Sequence, residues 1–505
     1  MTVNQKLGRL IQQTRQQRGL TQAELAKLLG TSQSAVNRIE HGNQNLSLET
    51  LARLSDALEK PLLKVGGSDV SLRINGGKKL SGSVDIKSSK NAAVGLLMAS
   101  LLNRGTTTLK KVSKIEEVYR IIEVLESIGV QIRWKGSDLI IKRPAKLQMD
   151  KLDTAAAIRT RSVIMMLGPL MHEFDKFSIP FAGGCKLGKR TVKAHQYALE
   201  ELGVTIHTTD NEYQITSAPA PADGPIIMYE SGDTPTENII MAAAKIPGKT
   251  VIKMASANYM GQDVCFFLQD LGVKIEGIGS TTLTVHGTTD IKKNVEYSPS
   301  EDPVEAMTFI AAAVTTDSTV EINRVPLDFT ELEIYKLKKM GLRVELLHEY
   351  TADNGRTRLG DIRVHEHGGN LNAPSDKIYA RPFPGLNIDH LPYFVPIAAV
   401  ANGRSLIHDW VYENRAIYYT ELSRLGVDIQ LADPHRVYVE GPTKWKPADL
   451  MCPPALRPAV INLIGMLAAP GASTLRSVYT INRGYEQLAE RLNSLGADIE
   501  IVRDL

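Results

Sequence analysis

A chain of 505 residues is too long for one ordinary hydrophobic core and predicts about three domains. With 43% hydrophobic and 23% charged residues it reads as a soluble globular protein, and MTVNQKLGRLIQQTRQQRGL lacks the apolar core of a signal peptide. No uninterrupted apolar run reaches the length of a membrane span, which excludes a helical membrane protein. Cys185, Cys265 and Cys452 lie far apart without metal-type spacing; their odd number argues against a disulfide framework and fits a reducing cytoplasm. Residues 1–65 carry nine Lys/Arg against five Asp/Glu, so a head of +4 precedes a body of about −1 within the total of +3.

From Leu7 to Leu58 apolar residues recur at helical spacing in short blocks separated by Gly19, Gly30 and Gly42. Thr21 with Glu24 three residues on is a capping-box pattern, and Thr31 or Ser32 can cap the next block. The segment GLTQAELAKLLGTSQSAVNRIEHGNQNLSLETLARLSDAL resembles the helix-turn-helix of the phage-repressor and Xre family. The resemblance implies a small all-α domain over residues 1–65 that binds double-stranded DNA. Thr31 to Glu40 would be the recognition helix, with Gln33, Ser34, Asn37 and Arg38 facing base edges and Gln22 touching a phosphate. Such modules usually work as dimers, which leaves a homodimer open; a charge of +4 is modest, so a protein-interaction module without DNA affinity also stays open.

Past Val70 the chain repeats itself. A helix-to-strand junction with a central glycine recurs as SIGVQI (Gly129), ELGVTI (Gly203), DLGVKI (Gly272), KMGLRV (Gly341), RLGVDI (Gly426) and SLGADI (Gly496). In each, the glycine suits a left-handed helix end followed by a strand. Units that mix helix and strand at this length predict α/β packing in two similar globules with a cleft between them.

The segment AGGCKLGKR, Ala182 to Arg190, has the composition of a site. Gly183 and Gly184 permit close backbone approach, Cys185 supplies a thiol, and Lys186, Lys189 and Arg190 supply charge for an anion. Together with GGKKLSGSVDIKSSKNAA, the six junctions and INRGYEQLAERLNSLGADI, it makes the chain from about Ser71 onward resemble the enolpyruvyl transferases. Among them the similarity is to the UDP-N-acetylglucosamine 1-carboxyvinyltransferase group, which opens peptidoglycan synthesis. The resemblance implies two inverse α/β domains of three repeats each: one lobe from residues 66–89 and 301–505, the other from 90–300.

It also implies transfer of enolpyruvyl from phosphoenolpyruvate to the 3′-hydroxyl of a nucleotide sugar, with release of phosphate and without a metal or organic cofactor. That chemistry needs cations for a phosphate and a carboxylate, an acid for the methylene carbon and a base for the hydroxyl. By the resemblance, Lys90 holds phosphoenolpyruvate and Asn91 hydrogen-bonds the sugar. Arg161, Arg190, Arg415, Arg457 and Arg483 surround the anionic groups, where a planar bidentate donor suits better than lysine. The same resemblance implies that Cys185 is the general acid of a mobile loop, that Asp389 lies near the reacting hydroxyl, and that Val411, in the Val411-Tyr412-Glu413-Asn414-Arg415 stretch, binds substrate. From the residues alone Asp389 also reads as a turn-former after Asn387.

Departures from the family pattern gather on the acceptor side. YESGDTPTEN puts Glu230 and Asp233 where a diphosphate is expected, Lys193 and Asn258 stand where acids are usual, and Ala455 replaces an aspartate. Three readings follow: an active UDP-N-acetylglucosamine 1-carboxyvinyltransferase, an enolpyruvyl transferase for another nucleotide or sugar, and a regulator whose transferase-like body senses a ligand for the DNA-binding head.

Overall fold

The computed structural model describes residues 3–42, 48–58, 70–181 and 192–503, which form two compact units, Met1–Asp69 and Val70–Asp504. Cys185 and Arg190 lie outside the described residues, as does the rest of AGGCKLGKR.

The first unit has helices Val3–Gln17, Gln22–Leu29, Gln33–Glu40 and Leu48–Ala57 around Ile11, Leu25, Leu29, Val36, Ile39 and Leu54. The capping box at Thr21 is formed: its hydroxyl accepts from the Glu24 N–H at 3.2 Å, and Glu24 Oε2 accepts from the Thr21 N–H at 2.7 Å. Gly30, at φ 62°, ends that helix with its N–H on the Ala26 and Lys27 carbonyls. The third helix begins at Gln33, later than the expected Thr31. Ser32 is extended and caps it by accepting the Ala35 N–H, so Thr31 stays in the turn. Inside the unit, Arg15 meets Glu40 as a buried ion pair at 2.5 Å, and Glu40 also accepts from Gln22 Nε2 at 2.8 Å.

The described residues of the second unit form six small sheets, five of four strands and one of three. Each repeat junction is built alike, and all six glycines have φ between 86° and 102°, a region that strains any residue with a Cβ. The helix Glu116–Ser127 thus turns at Gly129 into the hairpin Gln131–Lys135 and Asp138–Lys142, and Tyr259–Asp270 turns at Gly272 into Lys274–Glu276 and Thr282–Gly287. The last junction feeds Ile499–Arg503, which pairs antiparallel with Val70–Gly76, so strands from both ends of the body complete one repeat.

Two apolar clusters result, one from residues 72–86 and 304–499 and one from 93–297; the chain passes between them twice. Through each run helices apolar on nearly every side: Lys90–Ala99 and Asp233–Ala243 in one, Pro303–Thr315 and Leu456–Ala468 in the other. Their amphipathic neighbours cover the outside. No helix among the described residues is long and apolar enough to cross a membrane.

Candidate active site

The four core helices begin at the same place. Lys90 and Asn91, Asp233, Val304, and Leu456 with Arg457 line one cavity of about 510 Å³ between the two apolar clusters. Helix N-termini carry unpaired N–H groups and the positive end of the peptide dipole, so their convergence favours an anion before any side chain is counted. Arg161, Arg483, Arg415, Val411 and Asp389 line the same cavity. With Lys90, Asn91 and Arg457, these residues of the expected site are brought to one cavity, while Cys185 and Arg190 lie outside the described residues and Lys193, Asn258 and Ala455 do not line it.

Asp389 is held among cations. Its carboxylate accepts from Arg457 Nη2 at 3.2 Å and lies 3.7 Å from Arg415 Nη1. Burial alone would raise its pKa, but Arg457, Arg415 and Lys90 bring it down to about 2. Its N–H also donates to Asn387 Oδ1 at 2.8 Å, the turn that the sequence suggested after Asn387.

The arginines are fixed by partners invisible in the motif. Arg415, 1% exposed, donates from Nε and Nη2 to the two oxygens of Asp409 at 2.6 and 2.9 Å, and Nη2 also reaches the Ile388 carbonyl at 2.8 Å. Tyr419 donates to the same carboxylate at 2.6 Å. Although burial disfavours its charge, Tyr419 and Asp409 hold Arg415 protonated beyond its ordinary range. Arg457 donates to Tyr485 Oη at 2.9 Å, and Tyr485 in turn meets Tyr393 and Thr308. Arg483 lies 3.7 Å from Glu117, which accepts from Thr160 Oγ1 at 2.6 Å. Burial, with Arg457 and Arg483 nearby, pushes the Lys90 ammonium down against the opposing pull of Glu117. Asn91 Nδ2 reaches Tyr259 Oη at 3.4 Å.

Sequence reasoning missed His195, which also lines the cavity and is buried. Asn238 fixes its tautomer: Asn238 Oδ1 accepts from the Gly168 N–H at 2.7 Å, and Nδ2 donates to the Ile164 carbonyl at 3.0 Å and toward His195 Nδ1 at 3.1 Å. Nδ1 is thus an acceptor and the proton sits on Nε2, 3.4 Å from Thr234 Oγ1. Burial and the Arg161 charge lower the imidazole to about 3, so it is neutral at physiological pH.

The departures have structural counterparts. Asp233 and Asn258 compensate one another, since Asp233 accepts from Asn258 Nδ2 at 3.2 Å and from Ser256 Oγ at 2.5 Å. Lys193 donates to Gln196 at 3.2 Å and lies over the Tyr197 ring. Ala455 is the N-cap of Leu456–Ala468 and supplies no side-chain cap. Glu230 is exposed at the cavity wall.

In the first unit Gln33, Ser34, Asn37 and Arg38 are all exposed on one short helix, whose other face buries Ala35, Val36 and Ile39. Gln22 is half-buried, with its amide N–H on Glu40.

A repeated α/β body whose cleft gathers helix N-termini, a lysine and arginines around one carboxylate defines an enolpyruvyl transferase. The family description EPSP synthase (3-phosphoshikimate 1-carboxyvinyltransferase) matches residues 74–492, and the chain belongs to that family. A helix-turn-helix description matches residues 11–65. The chain is similar to UDP-N-acetylglucosamine 1-carboxyvinyltransferase of a Nitratiruptor species, 32% identical over 85% of this chain and 98% of that one. The protein of the same description from a Sulfurovum species is 33% identical over 85% of this chain and 98% of its own. Among solved structures, the enolpyruvyl transferase NikO from Streptomyces tendae shares the fold at TM-score 0.74 and 23% identity, over 86% of this chain and 99% of that one. EPSP synthase from Acinetobacter baumannii does so at TM-score 0.67 and 19% identity, over 86% and 100%.

Proposed function

We propose that the body transfers the enolpyruvyl group of phosphoenolpyruvate to the 3′-hydroxyl of UDP-N-acetylglucosamine, in the cytoplasm, and that the helix Gln33–Glu40 of the head enters the major groove of double-stranded DNA. The observation that carries the first part is the placing of Arg457 and Arg415 on Asp389 within an anion-binding cavity. The relatives' descriptions supply the acceptor.

In this reading Lys90, Arg161, Arg457 and Arg483 receive the phosphate and carboxylate of phosphoenolpyruvate. Arg415 contributes Nη1, because its Nε and Nη2 are taken by Asp409 and the Ile388 carbonyl. The acceptor oxygen adds to C2 while Cys185 gives a proton to the methylene carbon, and the tetrahedral adduct then loses a proton from the resulting methyl group and expels phosphate. Asp389 takes the hydroxyl proton. A carboxylate held at about 2 is a weak base, so Asp389 depends on phosphoenolpyruvate. The substrate's own negative charge neutralises Arg457 and Arg415 and raises the basicity of Asp389 as the acceptor arrives. A second reading, with an acceptor other than UDP-N-acetylglucosamine, is favoured by Glu230 and Asp233 on the cavity wall.

Phosphate release in the presence of phosphoenolpyruvate and UDP-N-acetylglucosamine tests the proposal. Release that requires both substrates is expected. Release only with a different hydroxyl acceptor moves the conclusion to the second reading, and none with any acceptor removes both.

A further inference from the structure

Three carboxyl groups within eight residues, Glu230, Asp233 and Glu237, line one wall of the cavity. Asp233 and Glu237 are one helical turn apart on Asp233–Ala243 and so share a face. Asp233 stands in the first turn of that helix, so an acidic group sits beside the helix N-terminus that would otherwise draw a phosphate. Its oxygens are steadied by Ser256 and Asn258, donors that leave lone pairs for a further partner.

Glu237 is 1% exposed, and its Oε1 is buried without a hydrogen-bond partner. It lies against Gly95 of the helix that carries Lys90 and Asn91, where a Cβ would stand 2.2 Å from that oxygen. The charges acting most on Glu237 are those of Asp233 and Asp263, and Asp233 feels Asp389; burial and these acids raise both groups. Glu237 thus lines the cavity while one of its oxygens, against Gly95, has no hydrogen-bond partner. An unpaired polar group of this kind is costly unless a ligand completes it.

The geometry points to Asp233 and Glu237, with Glu230 at the rim, as the residues that select the acceptor. They receive its hydrogen-bond-donating groups, sugar hydroxyls, an amide N–H or an ammonium, and exclude a phosphate from this wall. The inference rests on the enolpyruvyl transferase reading and assigns the acidic side chains of the cavity.

Glu237→Leu, Glu237→Gln and Glu230→Lys in the full chain test it, by KM for each substrate and by calorimetric binding of UDP-N-acetylglucosamine and UDP-glucosamine. Glu237→Leu is expected to raise the KM for UDP-N-acetylglucosamine about tenfold and leave that for phosphoenolpyruvate within about twofold. Glu237→Gln, of the same shape and still carrying an acceptor oxygen, is expected to return it to within about threefold of the wild type. Glu230 is exposed, so Glu230→Lys folds; it weakens both nucleotide sugars if donors face the wall, and tightens them if a phosphate does. Tighter or unchanged binding in Glu230→Lys, an unchanged KM in Glu237→Leu, or no binding of either nucleotide sugar to the wild type overturns the assignment. Wild-type binding that Glu237→Leu weakens, without phosphate release, removes the transfer reading and keeps the wall; normal turnover with unaltered KM in both variants does the reverse.

Discussion

Replacing Asp409 by asparagine removes the charge that fixes Arg415, the arginine whose Nη1 the proposed function gives to phosphoenolpyruvate. Asp409 is fully buried and takes two hydrogen bonds from Arg415, at 2.6 and 2.9 Å, and one from Tyr419 at 2.6 Å. The amide keeps one acceptor oxygen but turns an NH₂ toward the guanidinium, leaving Arg415 buried with Asp389 at 3.7 Å as its nearest remaining counter-charge. Leaving one partner of a buried pair uncompensated costs about 3–5 kcal/mol, and the residual attraction of Asp389 sets the expectation at about 3 kcal/mol. Part of that strain is relieved by Arg415 moving toward Asp389, which takes Nη1 from the anion site and raises the KM for phosphoenolpyruvate about tenfold, equivalent to about 1.4 kcal/mol. Urea unfolding and steady-state kinetics read the two effects. An unfolding midpoint and a KM both equal to wild type would refute the argument that Asp409 holds Arg415 in place.

Asp389→Ala is expected to lower kcat by about 10²- to 10⁴-fold, the usual contribution of a general base, with a smaller effect on the KM for phosphoenolpyruvate; stopped-flow phosphate release measures it. His195, lowered to about 3 in the fold, contributes stability that is complete above the ordinary histidine pKa of about 6.5 and is lost as pH falls toward 3. Between pH 7.5 and 5 this one group removes about 2 kcal/mol, and His195→Gln should flatten the pH dependence of the urea midpoint by that amount. In the head, Arg38→Ala should weaken DNA binding and, if Arg38 meets a phosphate, reduce the salt slope by about 1, whereas Asn37→Ala should relax sequence preference at one position with the slope unchanged. Gel-shift titration over salt distinguishes the two.

Elements set by local rules were legible in the sequence. The six junction glycines all adopt the left-handed conformation expected of them, and the Thr21–Glu24 capping box forms, because both depend on residues a few positions apart. The cations of the cleft were legible as motif positions. Their partners were not: Asp409, Tyr485 and Glu117 are ordinary residues in sequence, and only the fold brings Tyr485 to Arg457 or Glu117 to Arg483. Asp233 and Asn258 each looked like a misplaced charge pattern on its own, yet they are 25 residues apart and joined by one hydrogen bond. His195 carried one signal that could have found it, its place ten residues past Cys185 in the same stretch, but a lone histidine on a helix reads as core until Asn238 is seen to orient it.

The central claim is that phosphate leaves from C2 of phosphoenolpyruvate after an acceptor oxygen has added there. Phosphoenolpyruvate labelled with ¹⁸O in the bridging C–O–P position tests it directly, with mass spectrometry of the products formed in the presence of UDP-N-acetylglucosamine. The label is expected in the released phosphate, with an enolpyruvyl ether on the acceptor. Label retained in pyruvate, with the acceptor unchanged, would mean P–O cleavage and would contradict the account.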